Sequence, residues 1–138
     1  MRKVFAVLAA LLLLAVIVQF YLAASGAFDA APIEESFEPH RLLGNVVLGY
    51  SVVLTVFAAV ARVPGRLIGM TGLVAGLVLV QSLIREVANA LGDASSAGHL
   101  VFGLHAINGL VIVSLIATIA RRARQIAWQP AETALTTS

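Results

Sequence analysis

An all-α integral membrane protein, folded as a four-helix up-down bundle, is the fold class this sequence predicts, on three observations. Of its 138 residues, 60% are hydrophobic and 12% charged, and a soluble domain of this size needs far more surface charge. The apolar residues fall into four blocks of about the 20 residues a helix needs to cross roughly 30 Å of hydrocarbon. Seven of the nine basic residues, Arg2, Lys3, Arg62, Arg66, Arg121, Arg122 and Arg124, flank these blocks at alternate boundaries. Lys and Arg near span ends are retained on the cytoplasmic side, so both termini are expected in the cytoplasm.

Span one is expected at residues 4–24. Its Arg2-Lys3 start and its small residues Ala23-Ala24-Ser25 also resemble a secretory signal. The apolar run exceeds the roughly 7–15 residues of a signal core, which favours a permanent helix. The connection that follows, residues 25–39, holds Asp29, Glu34, Glu35 and Glu38 with Phe28 and Phe37, and is expected to lie over the mouth of the bundle. Pro39 suits a first helical turn, where no amide donor is lost.

Span two is expected at residues 42–61 and span three at 67–91, joined by the tight Val63-Pro64-Gly65 turn. Gly72-Leu73-Val74-Ala75-Gly76 has GxxxG spacing, which lets helices approach closely in lipid. Close packing within one monomer is the ordinary outcome of such spacing. Oligomer formation through Gly72 and Gly76, or room for a planar ligand, are its alternatives. Residues 92–98 read as a turn, and span four is expected at residues 99–120. One domain, residues 1–128, therefore carries the bundle, with Trp128 at headgroup level, and residues 129–138 form a polar tail expected to be disordered.

Several function classes are excluded. The chain has no cysteine, so disulfides, thiolate metal sites and cysteine nucleophiles are absent. There is no His-Glu-x-x-His, no phosphate loop and no serine beside a base, so an enzyme is not the expectation and no catalytic residue is assigned. The basic excess marks topology and attraction to anionic lipid, with nothing to suggest nucleic-acid binding. The partner expected is the lipid bilayer of the cytoplasmic membrane.

Against this background His105 stands out, because an ionisable residue inside a span is a functional candidate by default. Counting each span inward from its basic end gives it company. Gln19 is sixteen residues from Lys3, Asn45 seventeen from Arg62, Gln81 fifteen from Arg66 and His105 sixteen from Arg121. This polar layer is either a set of interhelical hydrogen bonds or the girdle of a pocket. A second layer lies nearer the outer interface: His40 and His99 are both twenty-two residues in, and Arg85 nineteen.

Three histidines in one half of a four-helix bundle point to a b-type haem, with imidazoles from facing helices as axial ligands and cations at the propionates. The candidate ligands are His40 and His105, with His99 as the alternative. Arg41 and Arg85 are candidate propionate partners, and Asn108 is expected to face the pocket or to fix an imidazole tautomer. Depth favours His40 with His99, since His40 and His105 differ by six residues on this count, about 9 Å along the axes. The cost of burying an unused imidazole favours His105. Proton transfer through Glu86, Arg85 and His105 is a lesser possibility.

The segments His40-Arg41-Leu42-Leu43-Gly44 and Leu104-His105-Ala106-Ile107-Asn108-Gly109, with the closing Arg121-Arg122, resemble a family of small bacterial four-span membrane proteins of unassigned function. The likeness covers nearly the whole chain. The His40-Arg41 opening of span two, with a later histidine opening span four, is also similar to one four-helix half of haem A synthase. That resemblance implies haem ligation by His40 and His105. It does not extend to haem oxidation, because Phe37 stands where the synthase pattern has a catalytic glutamate, and the synthase's outer cysteine pair has no counterpart. Two functions are therefore expected as alternatives: a haem protein serving electron transfer, haem handling or sensing beside a redox partner, or a cofactor-free module binding lipid, a quinone-like molecule or a larger membrane complex.

Overall fold

A computed structural model describes residues 1–92 and 95–128. The order is α1 (Arg2–Ala27), α2 (Ile33–Ser36), α3 (Glu38–Val60), α4 (Gly65–Ala90) and α5 (Ser96–Ala127), and no strand occurs among the described residues. The four long helices are each apolar and long enough to cross a membrane. The protein is a multi-pass membrane bundle. All four begin before the expected spans; α3 and α4 end one residue short of the expected ends, whereas α1 and α5 run on past theirs, α5 most of all, because its last turns accept Arg121, Arg122 and Arg124. The polar tail expected at residues 129–138 lies outside the described residues, as does Asp93.

The helices form a ring in which α1 packs on α3 and α5, and α4 packs on α3 and α5. Thus α1 and α4 are diagonal to each other, and so are α3 and α5. The core along the axis contains Phe5, Leu12, Leu54, Val74, Ile116 and Ile119, all nearly inaccessible. Between apolar helices in lipid, association rests on this van der Waals packing and on interhelical hydrogen bonds. Buried Ser51 and Thr71 satisfy their hydroxyls on carbonyls of their own helices.

The helix ends are set by local chemistry. Pro39 lies in the first turn of α3 and Pro64 caps α4. At the end of α3, Arg62 adopts φ 52°, its amide donating to Ala59 and that of Val63 to Ala58. This is a Schellman ending. Ser95 caps α5, its Oγ accepting from the Gly98 amide at 2.9 Å.

Two glycines permit backbone contacts that no larger residue allows. A Cβ on Gly26 would lie 2.6 Å from the Ser36 carbonyl oxygen, and one on Gly98 would lie 2.6 Å from that of Gly92. The first tucks α2 against the end of α1; the second closes the connection between α4 and α5. Both lie at the end of the bundle that carries the acidic connections.

Candidate functional site

Gln19, His40, Gln81, His105 and Asn108 lie partly buried in the half of the bundle toward that acidic end. His40, in the first turn of α3, is half-buried and points its ring at α1, where Nδ1 lies 3.0 Å from the backbone carbonyl of Gln19. A carbonyl oxygen only accepts, so Nδ1 is the nitrogen that donates. The rings of Phe37 and His40 stand perpendicular, with centroids 6.2 Å apart at 89°.

His105 reaches the same place from α5. Its ring lies parallel to that of Phe102, with centroids 5.3 Å apart, and its centroid is 6.2 Å from that of His40 at an interplanar angle of 52°. The two imidazoles therefore meet across the bundle axis, from helices that stand diagonal to each other. His105 Nδ1 and Gln19 Oε1 are both buried without a hydrogen-bond partner.

The offset expected between His40 and His105 vanishes because Arg121 is a poor depth mark. The helix α5 continues inward past it, and its last buried residue is Ala123; the corresponding residue of α3 is Ala58. Eighteen residues separate His105 from Ala123, and eighteen separate His40 from Ala58. Measured from the packed core, the two histidines are level. His99, the alternative partner, lies exposed in the first turn of α5.

Glycines stand one turn inward from each histidine. A Cβ on Gly44 would come 3.1 Å from Gln19 Nε2, and one on Gly109 would come 3.4 Å from the tip of Phe20 and 3.5 Å from Gln81 Nε2. Flexible side-chain ends, and no backbone, fill the space opposite both. Asn108 is turned to α4, where Nδ2 donates to the Leu77 carbonyl at 2.8 Å and to Gln81 Oε1 at 2.9 Å. It braces two helices and does not bond either histidine.

The two arginines stand at the rim. Arg41 donates to the Glu34 carbonyl in α2, and Arg85 pairs with Glu86 at 2.6 Å, both side chains substantially exposed. Asn45 departs from the expected girdle: it sits at the right depth but on the exposed side of α3. Gly72 faces Thr55 of α3, where a Cβ would meet Cγ2 at 3.7 Å, whereas Gly76 opens outward. Sequence reasoning missed Tyr50, whose hydroxyl donates to the Leu8 carbonyl at 2.9 Å and ties α3 to α1. An aromatic with a polar tip inside a span is the signal that identifies it.

Among the described residues no group of three or more His, Asp or Glu gathers as a metal site. An open groove of about 460 Å³ lies along Tyr21, Ala24, Ser25, Phe28 and Asp29, and it includes neither histidine.

The sequence profile of a family described as "Family of unknown function (DUF6220)" matches residues 19–88, half of the chain. The chain belongs to this family. No curated protein and no solved structure matches it. The DUF6220 segment runs from the last turns of α1 to those of α4 and includes Gln19, His40, Arg41, Asn45, Gln81 and Arg85. His105 and Asn108 lie beyond it. The segment thus contains both His40 and the carbonyl that orients it.

Proposed function

We propose that this protein binds a b-type haem between α3 and α5, with His40 and His105 as the residues that would hold its iron. The observation that carries the reading is the meeting of the two imidazoles across the axis with centroids 6.2 Å apart. Two imidazoles brought this close from facing helices could both hold the iron of one haem. A histidine ligand ordinarily donates its second N–H to a carbonyl or carboxylate, and His40 does so to Gln19. His105 Nδ1 and Gln19 Oε1 are buried without partners, and beside Gly44 and Gly109 the space is taken by side-chain ends with no backbone behind them that a bound group would have to displace.

In this reading Arg41 and Arg85 supply cations for the propionates at the rim, and Phe37 and Phe102 limit the rotation of the imidazoles. Haem so held supplies one-electron chemistry. The protein's own residues orient the ligands and keep water out. The basic residues at the other end favour an orientation with both termini in the cytoplasm, which in this reading would set the haem near the outer face of the membrane. Electron transfer, haem handling and sensing all fit such a site.

The test is a visible absorption spectrum of full-length protein expressed with haem supplementation and purified in detergent. A Soret band that is lost or shifted in His40→Ala and in His105→Ala supports the assignment; colourless wild-type protein overturns it. A second reading, a cofactor-free scaffold for lipid, a quinone-like molecule or a membrane complex, is favoured by the Asn108 bridge, which employs part of the polar layer in holding helices together. Under it, His105→Ala folds, stays colourless like the wild type and loses only a partner in a pull-down.

A further inference from the structure

The helix α3 carries an unused polar group on its outward side. Asn45 is exposed and makes no hydrogen bond to any described residue. It lies seven residues into α3, about 10 Å along a helix axis from its start. That puts the carboxamide inside the hydrocarbon, and its side chain is too short to reach the interface. Polar groups at such depth ordinarily face protein or pair with another polar group.

Its surroundings form a helix seam. Leu42, Asn45, Gly49, Val52, Val56 and Ala59 are all exposed and follow each other at alternating steps of three and four, the spacing of positions a and d in a heptad. They occupy the side of α3 opposite its buried residues Val47, Ser51, Leu54 and Ala58. At Gly49 an added Cβ would meet nothing within 4 Å, so a second backbone can approach closely there.

We infer that this seam binds a second copy of the chain through α3. Copies inserted in the same orientation run parallel, and a twofold axis along the membrane normal sets each seam residue against its own counterpart. A primary amide has both donors and an acceptor, so Asn45 pairs with Asn45 through two reciprocal hydrogen bonds. One polar residue in an otherwise apolar seam fixes register and oligomer state. The surface lies away from the histidines and does not depend on the haem reading.

The experiment uses the full chain in phosphatidylcholine vesicles, with resonance energy transfer between donor- and acceptor-labelled copies across a range of protein-to-lipid ratios. Wild type associates, Asn45→Gln associates comparably, and Asn45→Val weakens association about tenfold, the effect of two hydrogen bonds in lipid. Because the chain has no cysteine, Val52→Cys is expected to form a disulfide dimer under mild oxidation, while Leu79→Cys on α4 stays monomeric. A monomeric wild type, Asn45→Val associating like wild type, or cross-linking through Leu79→Cys in place of Val52→Cys overturns the inference.

Discussion

The Nδ1 of His40 is held 3.0 Å from the backbone carbonyl of Gln19, so a side chain of α3 is oriented by the main chain of α1. Substitution at position 19 leaves that acceptor in place. The Gln19 side chain does something different, since its Oε1 is buried without a donor. A buried unsatisfied polar atom costs about 1–3 kcal/mol. Gln19→Leu is therefore expected to raise stability by about 1 kcal/mol in haem-free protein, measured by unfolding in mixed micelles of increasing sodium dodecyl sulfate. A loss of comparable size would show that Oε1 has a partner.

The interhelical bonds differ in number, and their removal should differ accordingly. Asn108 makes two bonds to α4, whereas Tyr50 makes one to α1. At about 0.6–2 kcal/mol per bond in a membrane bundle, Asn108→Leu is expected to cost more than Tyr50→Phe in the same unfolding assay. Equal costs would contradict the two-bond geometry of Asn108.

Gly98 and Gly103 occupy the same helix and offer a matched comparison. A Cβ at position 98 would lie 2.6 Å from the Gly92 carbonyl oxygen and 3.2 Å from that of Ala88; at position 103 it would meet nothing within 4 Å. Gly98→Ala is expected to destabilise by about 1–3 kcal/mol, as overpacking does, and Gly103→Ala to be neutral or slightly stabilising because alanine is the better helix former. Thermal unfolding of the two variants side by side decides this, and indistinguishable melting would refute it.

Arg62 adopts a left-handed backbone, φ 52°, that costs a side-chain-bearing residue roughly 1–2 kcal/mol. Arg62→Gly should recover part of that, about 1 kcal/mol, and raise the unfolding midpoint. Arg62→Val, branched at Cβ, should lower it. The reverse order would rule out a left-handed helix ending here.

The four spans were legible because lipid demands long apolar helices, and little else in the chain competes with that pattern. Their true ends were not, since α5 runs through three arginines whose long side chains keep their charges in water while the backbone stays helical. The short α2 escaped notice because Glu34 and Glu35 fill a four-residue helix with no apolar period. Depth along each span was read less well, since counting from the arginines set His40 and His105 six residues apart although their rings meet. Direction around each helix was not legible. In water the outward face is polar and betrays itself, but in a bilayer both faces are apolar, so nothing in the pattern told Asn45, which faces out, from Gln19, which faces in.

The diagonal arrangement of α3 and α5 also bears on motion. Among the long helices, α3 and α5 are each flanked by α1 and α4, so the square they form can shear, one diagonal lengthening as the other shortens, without breaking any side of the ring. A ligand joining His40 to His105 acts as a cross-strut on that square. Its binding is therefore expected to slow amide hydrogen exchange in all four long helices together, including turns far from either histidine.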